Sequence, residues 1–306
     1  MPMQTVTELA TKLAPFDAIT EITVPMSRES GPQFRVVGKD KLLVTLAGAD
    51  LEMGKEQTLE VIGRVPGLGA AALIEWPVEM TLAPINYYFT HHPDAQFRAL
   101  VDPTGERVLG LPRTQTAMRS PGELLSVVTN TLAERGVTPE ELQIDKVHVG
   151  MERVSFALVA PGRHHEVEAR PGDIVQAGLW VHTSPIGYKD TELAAYVNRL
   201  VCTNGMISPV NIRRFGMRGT GGGGGDWQGW IANSVNEAWG AIDTEFAAID
   251  SLTGVRLDGH ASDVLADLFQ RHRVPVGLRR EVQEALASEA DGTMYGVAQA
   301  FNRAAN

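Results

Sequence analysis

One cysteine, Cys202, is all that the 306-residue chain contains. That excludes an internal disulfide and the cysteine-rich zinc modules. Lysine is absent after Lys189, so every strong base in the C-terminal third is an arginine. No run of about 18 apolar residues occurs, and no membrane-spanning helix is expected. The opening stretch "MPMQTVTELATKLAPF" lacks the apolar core of a secretory signal, so a cytoplasmic protein is expected. Aromatic residues make up only 6% of the chain, and a net charge of −10 argues against a uniformly basic, DNA-coating protein. What is present is ordinary for a folded chain: 43% hydrophobic and 21% charged residues.

The charge is unevenly placed. Between Arg199 and Arg280 there are nine arginines, no lysine and eight acids. This stretch is therefore close to neutral, while the remainder is strongly acidic. Guanidinium groups suit bidentate phosphate contacts and stacking on bases. A base composition that favours arginine codons explains the same usage.

Local patterns predict an α+β fold, with an antiparallel β-sheet built from hairpins and packed against helices, and a helical C-terminal third. Residues 1–65 read as one short helix followed by short strands, among them "ITEITVP" and "KLLVTLAG". "PVEMTLAPINYYFTHH" reads as helical in part, interrupted at Pro84. "FRALVD" and "RVLGL" flank the turn "PTGE". "SPGELLSVVTNTLAERG" has Ser120 as N-cap, Pro121 at the first helical position, Glu123 completing a capping box and Gly136 as the stop. "IDKVHVGM", "RVSFALVAP", "HEVEARPGD" and "IVQAGLWVHTS" read as sheet strands. "TELAAYVNRLV" reads as a helix leading into the Asn204-Gly205 turn. From 227 to 252 apolar residues recur at helical spacing, with Asp226 as the cap. Three more helices follow: "ASDVLADLFQRHR", "PVGLRREVQEALASEA" and "TMYGVAQAFNRAAN". Strands before helices favour α+β over an alternating arrangement. Two segments are expected: a β-rich one over 1–65 and an α+β domain over 66–306.

Several motifs bear on chemistry. "GTGGGG" satisfies G-x-G-x-x-G, but the acids about 20 residues on fall within the next helix and no Gly-Lys-Ser/Thr follows, so nucleotide binding is not expected. The glycines Gly221–Gly225 read instead as a flexible connector. Cys202, after Leu-Val, reads as a buried small hydrophobe rather than a nucleophile. The adjacent pairs His91-His92 and His164-His165 lack metal-ligand spacing. Asp258, His260 and Asp263 in "LDGHASD" form a candidate metal or hydrolytic group, which an Asp-Gly turn followed by a Ser262 helix cap also explains. No cofactor and no catalytic constellation are expected.

The segment "RPGDIVQAGLWVHTSPIGYKDTELAAYVNRLVCTNGMI" and the ending "TMYGVAQAFNRAAN" resemble the DUF932 family of phage- and plasmid-associated proteins, with "RLVCTNG" the most specific block. Thr183-Ser184-Pro185 stands where an Asn-Ser pair is commoner. The resemblance implies a mobile-element context in a bacterial host and one fold, not a reaction. A more distant fold-level likeness is to single-strand annealing proteins of the Rad52 and RecT type. Together with the arginines, it leads to an expectation of a non-enzymatic, homo-oligomeric protein that binds and anneals single-stranded DNA in recombination. Its contacts would be Arg213, Arg214, Phe215 and Arg218 before the glycines, and Arg271, Arg273, Arg279 and Arg280 near the end. The alternative is an interaction or structural protein of the mobile element that binds a host or phage protein.

Overall fold

A computed structural model describes residues 4–37, 41–66, 78–112, 120–168, 170–186, 191–200, 206–207, 213–215, 226–289 and 291–304. The chain opens with β1 (Gln4–Thr5) and α1 (Val6–Leu13). Thr5 and Glu8 cap α1 reciprocally: each side chain takes the other's backbone N–H, at 3.2 and 2.9 Å. Then come β2 (Thr20–Met26), β3 (Gln33–Val37), β4 (Lys41–Leu46), β5 (Ala49–Met53), α2 (Lys55–Gly63), α3 (Val78–Thr90), β6 (His92–Val101) and β7 (Arg107–Gly110). After α4 (Pro121–Glu134) follow β8 (Gln143–Val149), β9 (Val154–Glu166), β10 (Ile174–Thr183), β11 (Thr191–Arg199), β12 (Met206–Ile207) and β13 (Arg213–Phe215). Four helices close the described chain: α5 (Trp227–Gly254), α6 (Ala261–Arg271), α7 (Val276–Glu289) and α8 (Met294–Ala304). The fold is α+β with a helical C-terminal region, as the patterns predict.

Two sheets organise two lobes. In the first, the order is β1-β8-β9-β10-β11-β12, with β13 also pairing to β11. One face buries Phe156, Leu158, Leu179, Val181, Leu193 and Val197 against Leu9 and Leu13 of α1, Leu125 and Val128 of α4, and Val235, Trp239 and Ile242 of α5. In the second, the order is β2-β6-β7-β5-β4-β3, antiparallel except for β5 beside β7. It buries Phe34, Phe89 and Phe97 in mutual edge or tilted contact, with Val61 and Ile62 of α2 and Ile85 of α3. The second lobe is inserted into the first, between α1 and α4. The expected boundary at 65/66 falls inside this insertion: β6 and β7, from beyond it, pair with β2 and β5 from before it.

Four expectations are corrected. β11 is a strand, not a helix: Leu193, Ala195 and Val197 join the main core while Ala194 and Tyr196 are buried on the opposite face, a period of two. Helix α3 runs through Pro84, which lies on its exposed side, where solvent can satisfy the carbonyl left without a partner. A second helix, α2, stands in residues read as strands and turns. Ser120 caps α4, receiving the N–H groups of Gly122 and Glu123, but its hydroxyl also donates to Asp17, and the return bond from Glu123 is not made. Gly136 ends α4 at φ 81°, as expected of a stop.

Candidate nucleic-acid interface

Helices α6, α7 and α8 form a small cap with its own core of Leu265, Phe269, Val282, Leu286, Val297 and Ala300. The apolar stripe of α6 faces α7, and the chain reverses between them through His272–Pro275. His260 occupies the N-cap of α6 without a side-chain bond, so Ser262 is not the cap but lies in the first turn. The reversal is closed by the Val274 N–H on the Phe269 carbonyl at 3.1 Å, and Arg273 takes φ +50°. That left-handed conformation costs a non-glycine residue roughly 1–2 kcal/mol, and glycine or asparagine is the usual occupant.

A groove of about 740 Å³ opens between α6 and α7, lined by Phe269, Gln270, Arg273, Val276, Arg279 and Arg280 among others. Arg279 is held in place: its Nε–H donates to the Val274 carbonyl at 2.7 Å, and its guanidinium lies 5.8 Å from the Phe269 ring centre. Arg280 is exposed and loosely paired with Glu284 at 3.4 Å. No acid occupies the first turn of α7, whose N-terminus opens at the same place. The rim is therefore cationic, apolar at Val276, and open to solvent.

Of the C-terminal arginines expected to bind, Arg273, Arg279 and Arg280 line this groove. Arg271 does not: both its Nε and Nη2 donate to Asp267, one turn back, at 2.8 Å. Arg213, Arg214 and Phe215 lie on β13, opposite Leu193, Glu192 and Thr191 of β11. That end of β11 is about 20 Å along the strand from Arg199, where the cap is fastened. Arg218, Cys202, the Asn204-Gly205 pair and the glycines Gly221–Gly225 lie outside the described residues. Trp230 and Trp239 pack into the main core as expected, with Arg163 4.8 Å above the Trp239 ring. His165 bonds Asp250 at 2.8 Å and stacks on Phe246, while Asp258, His260 and Asp263 are exposed. Among the described residues no three His, Cys, Asp or Glu side chains gather to hold a metal ion, and no helix is long and apolar enough to cross a membrane.

What holds the cap to the sheet was not legible in the sequence. Arg199, at the end of β11, is buried, and its Nε and Nη2 donate to the two oxygens of Asp173 at 2.7 Å each. Its Nη1 reaches Glu289 of α7 at 3.1 Å, and the Tyr295 hydroxyl of α8 donates to Asp173 at 3.0 Å. Arg170 pairs with Asp291, and Arg303 with Glu289 at 3.4 Å. Burial works against the Arg199 cation, but the bond and charge of Asp173, with Tyr295 and Glu289, outweigh it and hold the guanidinium above its ordinary pKa. Burial chiefly pushes the Tyr295 phenol up. Arg170 and Asp173 in "RPGD", Arg199 in "RLVC" and Tyr295 in "MYG" thus meet in one ionic knot.

Asp291 gives this clasp an acid limit. Burial opposes its charge, but the Thr293 hydroxyl and N–H and the Arg170 guanidinium outweigh it and hold its carboxyl below the ordinary 3.8. The folded state then binds fewer protons than the unfolded state in the window between the two values. The stabilisation is complete above about pH 4 and is lost as pH falls through the lowered value. Melting temperature followed against pH should show a shallower acid limb for Asp291→Asn than for the parent. Equal limbs would show that Asp291 contributes nothing there.

Comparison with models of known protein families, with curated proteins and with solved structures returned no match. The groove and its arginines carry the functional reading.

Proposed function

We propose that the protein binds single-stranded DNA along the α6–α7 groove and, as a homo-oligomer of a phage or plasmid system, anneals complementary strands without covalent chemistry. The observation that supports it most is Arg273. A position whose backbone favours glycine carries an arginine instead, on the rim of a groove already lined by Arg279 and Arg280. Strain retained beside a convergent set of cations is better explained by binding than by stability. Such a groove takes the phosphate backbone and leaves base edges free to pair. Assembly of several copies would join short grooves into a longer path, and avidity multiplies weak contacts.

Two variants test this by fluorescence anisotropy on a labelled oligonucleotide at several salt concentrations. Arg273→Ala, Arg279→Ala and Arg280→Ala together should lower the slope of log affinity against log salt by about two, at roughly 0.7 per phosphate contact for single strands. Arg273→Gly should weaken binding while raising stability by roughly 1 kcal/mol, because the backbone strain goes with the charge. Unchanged affinity in both folded variants would remove the groove. An intact protein that binds no oligonucleotide at low salt would turn the reading toward a protein partner.

A further inference from the structure

The second lobe carries a feature that the groove does not use. At the end of α3 the sequence "YYFTHH" sets two tyrosines four residues before two histidines, the spacing that places side chains on one helical face. Tyr87 is 65% exposed, and its ring lies on that of His91 with centroids 4.0 Å apart and planes 18° from parallel. The underside of this stack is fixed. His91 Nδ1 lies 2.8 Å from the Tyr87 carbonyl, which can only accept, so Nδ1 carries the proton. His91 Nε2 then accepts from the Arg28 guanidinium, at 2.9 Å from Nε and 2.6 Å from Nη2. The partners thus specify one neutral tautomer and one ring orientation.

Arg28 is itself presented by a tight turn. The Gly31 N–H donates to the Ser27 carbonyl at 2.9 Å, and a Cβ at position 31 would stand 2.3 Å from that oxygen and 3.2 Å from the Phe89 carbonyl. Two of the five guanidinium N–H groups go to His91. Among the described residues no carboxylate pairs with Arg28, although the protein carries a net charge of −10. Met80, Ala83 and Pro84, also exposed, continue the Tyr87 face of α3 toward its start.

An isolated surface tyrosine needs no explanation. Here the ring is backed by a second ring held from both sides, beside a guanidinium that no carboxylate among the described residues pairs with. We propose that Tyr87, stacked on His91 and flanked by Arg28, is a platform for an unpaired nucleobase, with Arg28 positioned for the adjoining phosphate. The ordered stack pays little to receive a base, because its rotamers are already fixed. This inference rests on the single-stranded DNA reading and adds to it a base-contacting site on the lobe built from β2–β7.

The experiment compares the full chain with Tyr87→Ala and Tyr87→Trp on two probes of equal length, a labelled oligothymidylate and the same backbone without bases. Base–aromatic stacking is worth about 1–3 kcal/mol per base, so Tyr87→Ala should weaken oligothymidylate binding by on the order of tenfold. The abasic probe should bind it as it binds the parent, and Tyr87→Trp should retain or strengthen oligothymidylate binding. An unchanged Tyr87→Ala affinity for oligothymidylate, or an equal loss on both probes, overturns the platform. If that occurs while the three groove alanines still weaken binding, the groove reading stands without it. A parent chain that binds neither probe overturns both.

Discussion

Arg199→Ala is expected to lower stability by about 3–5 kcal/mol, the usual cost of removing one partner from a buried ion pair. The side chains of Asp173 and Glu289 are 6% and 7% exposed, and the substitution would leave both without the guanidinium that faces them. A surface pair would cost about 1 kcal/mol or less, so burial decides the magnitude. Arg199→Lys should fall between the two, because an ammonium keeps the charge but cannot fork onto both oxygens of Asp173. Urea unfolding measures the loss, and the melting temperature should fall by on the order of 10 °C. A loss no larger than that of a surface substitution, about 0.5 kcal/mol, would show that the clasp does not fasten the cap.

Gly178→Ala should be nearly as damaging, against the usual direction of a glycine-to-alanine change in a strand. Gly178 pairs with Val159 on one side and Tyr196 on the other, in the middle of the larger sheet. A Cβ there would stand 2.4 Å from the Leu158 carbonyl and 2.9 Å from the Tyr196 ring. The carbonyl belongs to the ladder and cannot retreat without breaking it. The ring is pinned as well, since its hydroxyl donates to Asp145 and the side chain is fully buried. Overpacking of this kind costs about 1–3 kcal/mol, and the upper end is expected because neither neighbour can give. Tyr196→Ala in the same chain should recover only part of the loss, as the carbonyl remains. Parental stability for Gly178→Ala in thermal unfolding would mean that the strands separate more easily than their register suggests.

Much of the fold was readable because local signals and tertiary context agree. The Ser120–Gly136 helix, the turn at "PTGE" and the long helix capped by Asp226 carry their own punctuation, and the structure keeps all of it but the Glu123 half of the capping box. Strand β11 reads as helix in the sequence because its alanines favour helix in isolation. Burial on both faces between neighbouring strands overrides that preference, and no local pattern reports it. The groove was half legible. Arginines 273, 279 and 280 are close in sequence and a helical reversal brings them together, whereas Arg271 is diverted by an acid one turn before it. The clasp was illegible because Asp173, Arg199 and the pair Glu289 and Tyr295 come from three separate segments, the last about 90 residues beyond Arg199. Its one sequence trace is an arginine closing an apolar strand. Tyr87 and His91 stood in plain view, but Arg28 lies 63 residues from His91 and only the strand pairing of β2 with β6 unites them.

The insertion of one lobe into the other sets an order on biosynthesis. α1 presents Leu9 and Leu13, but the surfaces that cover them come from α4 and from β8, more than 100 residues later. At roughly 5–20 residues per second, the ribosome leaves that apolar face waiting for several seconds or more. Meanwhile β2 through β7 have all their partners by residue 110 and can close first. The cap is finished last, when Glu289 and Tyr295 reach an Arg199 made about 90 residues earlier. The clasp therefore closes only after the whole of the larger sheet's β11 has been made.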